Sequence, residues 1–159
     1  VRETDRRPTL ASTDRLKRLV MSASVVLFAL SLVLPALREG ELGVRVEPGY
    51  MILGTGYFGV LVGQLAWFAN PLWAAGLVYL LRRRWKAAAI CAGLGVVVAA
   101  GSFLLYSTGF PSDSGATIPV RLLAGFWVWW SSLWILAAGA LVLWRRHHEP
   151  DVTEGTFSS

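Results

Sequence analysis

Four stretches of the chain, residues 19–37, 55–81, 87–106 and 120–144, are apolar and nearly free of charge. A helix crossing a hydrocarbon core needs roughly 20 such residues, and each stretch supplies about that many. A soluble domain would scatter its charged side chains along the chain; here they collect in the connections and tails. The sequence therefore predicts an all-α membrane protein, an antiparallel four-transmembrane-helix bundle over 19–144. The flanking tails, 1–18 and 145–159, are short and polar and are expected to be disordered.

Composition removes several function classes. The single cysteine, Cys91, leaves no disulfide framework and no cysteine metal cluster. His147 and His148 lie beyond the last span, so no imidazole can ligate haem or a metal within the bilayer. No acidic or basic side chain falls in a span core, whereas proton-coupled transporters, retinal proteins and voltage sensors depend on such groups. The carboxylate that small multidrug exporters carry in their first span is missing as well. No catalytic residue and no metal ligand set can be assigned, and no nucleic-acid partner is expected.

Charge also predicts the topology. Of the fifteen basic residues, twelve lie in the N-terminal tail, in the Arg82-Arg83-Arg84-Trp85-Lys86 turn and in the C-terminal tail; only Arg38, Arg45 and Arg121 fall on the other side. The positive-inside bias then puts both termini in the cytoplasm and makes the number of spans even. A multi-pass protein of the cell (inner) membrane follows. The first apolar run is too long for a cleavable signal and reads as an uncleaved anchor, and Val1 fits either a GTG start, and with it a bacterial source, or a processed or truncated chain. Arg82, Arg83, Arg84 and Lys86 are the candidate lipid-headgroup contacts, with a pure topology role as the plainer reading. Outside, Glu41 to Glu47 alternates polar and apolar residues like a half-buried strand. Glu39, Glu41, Glu47 and Asp113 lie on the same side, where a solvated face is preferred over a cation site.

Helices in lipid meet through small residues and polar contacts. In the second span Gly59, Gly63, Ala66, Asn70 and Ala74 stack on one face, so Asn70 is expected at a helix contact and Gly59-x-x-x-Gly63 at a close backbone approach. Pro71 is expected to kink the helix by removing the hydrogen bond to the Trp67 carbonyl, and Gln64 to mark a second polar face. The third span repeats a small stripe at Ala89, Gly93, Val97 and Ala100, and the fourth at Ala124, Val128, Ser131, Ile135 and Ala138. Gly54-Thr-Gly-Tyr-Phe-Gly59 matches G-x-G-x-x-G, but without a βαβ unit it is no dinucleotide site.

Tryptophan is unusually abundant: four of the eight lie between Gly125 and Trp134. Helical spacing puts Trp127, Trp130 and Trp134 on one face and turns Trp129 away. With Trp67, Phe68, Phe103 and Tyr106 these rings would line an aromatic pocket for a quinone, pigment or lipid; a partner-contact surface and plain packing are the alternatives, and packing is preferred.

The run Gly59-Val-Leu-Val-Gly-Gln-Leu-Ala-Trp-Phe-Ala-Asn-Pro-Leu-Trp73, together with Leu34-Pro-Ala-Leu37, looks like a group of uncharacterised small bacterial four-span membrane proteins. The resemblance covers the first two spans and implies no activity. The expected function is therefore non-enzymatic: an accessory or scaffolding subunit in contact with lipids and with other membrane subunits or itself. The alternative is a small transport or ligand-binding protein in which Gln64, Asn70 and Ser131 face a cavity.

Overall fold

The computed structural model describes residues 10–39, 45–104, 110–111 and 117–148. The first helix, α1 (Leu10–Val33), begins inside the stretch expected to be a disordered tail, because residues 10–18 continue the helical run without a breaker. It stops before Pro35, which biases the preceding residue toward extended backbone. Residues 35–37, expected to complete the first span, instead open strand β1 (Pro35–Glu39).

On one side β1 pairs antiparallel with β2 (Arg45–Pro48), which ends the alternating Glu41–Glu47 segment; residues 41–44 lie outside the described residues. On the other side it pairs with β5 (Val120–Leu122), so the sheet runs β2-β1-β5. A short pair, β3 (Phe110–Pro111) and β4 (Thr117–Ile118), precedes β5. The chain is mostly helical, as an all-α protein is expected to be, with a small sheet beside the helices, and residues 120–122, expected to start the fourth span, belong to that sheet.

Three helices are long and apolar enough to cross a membrane: residues 11–33 of α1, residues 85–104 beginning with α4 (Trp85–Ala100), and α5 (Ala124–His148). The second apolar stretch, expected as one helix from 55 to 81, is broken. It consists of α2 (Gly49–Thr55), a 3₁₀ segment (Gly56–Val62), a reversal at Gly63 with φ of 76°, a second 3₁₀ turn (Ala66–Phe68) and α3 (Ala69–Leu81). Pro71 is the third residue of α3, where its missing N–H would have had no helical partner. It starts a helix rather than kinking one. The 13 residues of α3 rise about 20 Å at 1.5 Å each, short of a hydrocarbon core of about 30 Å.

α1 and α5, α3 and α4, and α4 and α5 pack antiparallel. Arg83, between α3 and α4, bonds Asp14 at the start of α1, and Trp85 of α4 stacks on His147 at the end of α5 with ring centroids 5.1 Å apart. The start of α1, the α3–α4 turn and the end of α5 thus share one end of the bundle, with the β2-β1-β5 sheet at the other. Val20, Leu80, Ala88, Ala92, Leu136, Ala140 and Leu143 form the core toward the basic end, and Ala69, Val96, Ala99 and Leu133 a second cluster toward the sheet.

The packing stripes are displaced from those expected. On α4 the buried face is Ala88, Ala92, Gly95, Val96 and Ala99, while Val97 and Ala100 are exposed. On α5 it is Gly125, Ser132, Leu136, Gly139 and Leu143, while Ala124, Ser131 and Ala138 are exposed. In lipid both faces of a helix are apolar, so hydropathy does not fix which one meets protein; close approach does. A Cβ on Gly76 would stand 3.2 Å from Leu136, and one on Gly139 would collide with the Val20 side chain.

Candidate functional site

Where the second apolar stretch doubles back it leaves a cavity of about 400 Å³ beneath the sheet. Phe28 of α1, Trp67, and Phe126 and Trp129 of α5 form aromatic walls, and Ala36, Leu37 and Leu122 close it from the sheet side. Glycine makes the fold-back possible. A Cβ on Gly56 would lie 2.7 Å from Trp67 Cδ1, and one on Gly59 would lie 3.2 Å from both Cβ and O of Gln64. Two glycines of the G-x-G-x-x-G run, Gly56 and Gly59, thus serve close return of the chain, while Gly54 has open space around it. Trp67 is anchored by its indole N–H, which donates to the Leu53 carbonyl at 2.8 Å.

Asn70, in the first turn of α3, accepts the Trp129 indole N–H at its Oδ1, 2.9 Å away, which joins α3 to α5 across the cavity. Ser31 and Thr55 also line the space, but their hydroxyls donate to carbonyls of their own helices, Phe28 at 2.6 Å and Met51 at 2.8 Å. The side chains of Gln64 and Ser102 have no hydrogen-bond partner among the described residues. Among the described lining residues Glu47 of β2 supplies the one carboxylate, and none is a lysine or arginine.

The residues singled out from sequence are divided by this geometry. Gln64, Trp67 and Asn70 meet at the cavity, together with Gly59. Gly63 is the reversal point, with open space around it rather than a helix, and Pro71 is exposed. Trp127 and Trp134 point away from the protein, 49% and 51% exposed. Ser131 is exposed as well and bonds the Trp127 carbonyl of its own helix. Trp130 packs edge-on against Phe103 at 5.2 Å, outside the cavity. The tryptophan of the cluster that enters is Trp129, the one that helical spacing turns away from the other three. The signal that finds it is the i, i+3 relation to buried Ser132, not the aromatic stripe. Tyr106 lies outside the described residues.

At the basic end Arg82, Arg84 and Lys86 are exposed. Arg83 makes a two-oxygen ion pair with Asp14, at 3.1 and 3.0 Å. A shallow groove there also brings Arg15 and Arg18 of α1 beside Arg83, a grouping that sequence distance hides. Among the described residues no group of His, Cys, Asp and Glu is placed to hold a metal ion; Glu41 and Asp113 of the outer carboxylates lie outside them.

Comparison with known proteins finds no family model, no curated protein and no solved structure that matches the chain. The likeness of the Gly59–Trp73 run to small four-span proteins gains no support from it. The arrangement itself offers binding chemistry: flat apolar walls, one oriented amide, and further polar side chains at the rim.

Proposed function

We infer that the chain is a non-enzymatic integral membrane protein that holds a small amphipathic molecule in the cavity beneath its sheet. The observation that carries this reading is the junction of Trp67, Asn70 and Trp129, where aromatic walls surround an amide whose Nδ2 has no partner among the described residues. Sites for small molecules have this makeup, largely apolar with a few placed polar groups and volumes of roughly 300–1,000 Å³. In this reading the basic end of the bundle faces the cytoplasm, following the positive-inside bias, and the cavity opens toward the outer leaflet. The broken second stretch completes a four-pass path, its irregular backbone tolerated because protein and a cavity surround it.

A second reading rests on a separate observation. Trp127 and Trp134 stand half exposed on one side of α5, and large aromatic side chains are enriched where membrane partners bind. That surface suits an accessory or scaffolding subunit of a larger assembly. Purification from native membranes into nanodiscs, followed by native mass spectrometry and organic extraction, separates the two. A stoichiometric small molecule on a lone chain or homo-oligomer supports the cavity reading; a stoichiometric foreign protein with no extracted small molecule contradicts it and favours the second.

A further inference from the structure

The cavity's hydrogen bonds restrict what can occupy it, and the inference drawn from them rests on the ligand-binding reading above. An indole N–H can only donate, so the bond from Trp129 fixes which end of the Asn70 amide faces α5: the oxygen. The Nδ2 protons have no partner among the described residues, and Asn70 lines the cavity. The hydroxyls of Ser31 and Thr55 are committed as donors to their own helices. Among the described lining residues the donor of fixed direction is therefore Asn70 Nδ2, and its complement is an acceptor oxygen. An anionic head would find no lysine or arginine among the described lining residues. Phe28, Trp67, Phe126 and Trp129 offer flat faces that favour a planar head over a bulky one.

We propose that the cavity takes an uncharged, planar carbonyl compound with an apolar tail, of the oxidised quinone class, whose carbonyl oxygen accepts from Asn70 Nδ2. A hydrocarbon ring that carries no oxygen leaves the Asn70 donor unmet.

The test uses the full chain in nanodiscs of zwitterionic lipid. Retention of a short-tailed benzoquinone through gel filtration is compared with that of a benzene ring carrying the same tail, which has no acceptor oxygen. The wild-type chain is expected to retain the benzoquinone in preference to the alkylbenzene. Asn70→Asp keeps an oxygen for Trp129 and removes the donor, so it is expected to bind the benzoquinone about tenfold more weakly or worse, as loss of one buried hydrogen bond implies. Equal retention of the two probes by the wild type, or unchanged benzoquinone binding by Asn70→Asp, overturns the head-group assignment and leaves the cavity reading intact. Retention of neither probe overturns it also, and the extraction experiment then decides separately whether the cavity holds another molecule. The preference of the wild-type chain carries the test even where the variant does not insert.

Discussion

The indole N–H of Trp73 donates to the Ser24 hydroxyl at 2.8 Å, and that hydroxyl donates onward to the carbonyl of Ser132, also at 2.8 Å. Three helices, α3, α1 and α5, are tied by this relay at a level where Ser24 and Ser132 are fully buried. Phe28, one turn on, stacks on the same indole with centroids 4.1 Å apart, so the relay fixes one wall of the cavity. Ser24→Ala leaves the Trp73 donor without its acceptor. Side-chain hydrogen bonds inside membrane proteins contribute about 0.6 kcal/mol on average and up to about 1.7, and the expected loss is about 1 kcal/mol in detergent unfolding. The double variant Ser24→Ala, Trp73→Phe should lose less than the sum of the single losses on hydrogen bonding, because the second change removes the orphaned donor.

Glycines rank by what a methyl group would meet. On Gly125 it would lie 2.8 Å from the Leu34 carbonyl oxygen and 2.9 Å from that of Pro35, backbone atoms that cannot step aside. Gly125→Ala is expected to cost about 1–3 kcal/mol. Gly139→Ala meets only the Val20 side chain, so Val20→Ala should recover part of its loss. Gly93→Ala meets nothing within 4 Å and should stabilise α4 by a fraction of the roughly 1 kcal/mol helix preference for alanine. Thermal unfolding of the set in one detergent checks the order; a Gly93→Ala loss as large as that of Gly125→Ala would contradict the packing described.

The reversal that creates the cavity depends on Gly63, whose φ of 76° and ψ of 10° lie in the left-handed region. An alanine there costs roughly 1–2 kcal/mol, while asparagine tolerates the conformation better. Gly63→Ala should therefore weaken both stability and ligand retention, and Gly63→Asn should do so less. A chain that kept a continuous helix through this point would show the opposite order, since asparagine is the poorer helix former.

Arg83 also sits in the left-handed region, at φ 56°. It closes α3 with a Schellman pair of bonds, Arg84 N–H to the Tyr79 carbonyl at 2.9 Å and Arg83 N–H to that of Leu80 at 3.2 Å. Arg83→Gly relieves the backbone cost but loses the partly exposed pair with Asp14, a loss of about 0–1 kcal/mol; the two effects should nearly cancel. Arg83→Ala keeps the cost and loses the pair, so it should melt below Arg83→Gly. Asp14→Asn should lower stability slightly at low salt and not at all at high salt.

The apolar stretches were legible because lipid demands length and absence of charge, and three of the four became helices of the required reach. The alternation of Val46 and Glu47 marks a strand, but not its facing: Val46 is exposed and Glu47 lines the cavity. Less local features were hidden. β1 and β5 pair Arg38 with Arg121, a register no local pattern encodes. Gly59 and Gly63 have the spacing of a helix contact, yet a glycine at φ 76° and a helical glycine are the same letter. Pro71 reads equally as a kink or as a first turn until the 3₁₀ segment before it is seen. Asn70 was recognisable as a polar group needing a partner; that the partner is Trp129 follows from the rotation of α5, set by Gly125 and Gly139 rather than by its tryptophans.

The central claim is that the second apolar stretch opens at Gly63–Leu65 into a cavity on the outer side. A cysteine at position 64, introduced as Gln64→Cys on a Cys91→Ser background, reads it directly in intact cells with a membrane-impermeant maleimide. The account predicts labelling from outside, slowed when a short-tailed benzoquinone is present. Absence of labelling from outside, with full labelling only after the protein is denatured, would contradict it and restore an unbroken, lipid-embedded helix.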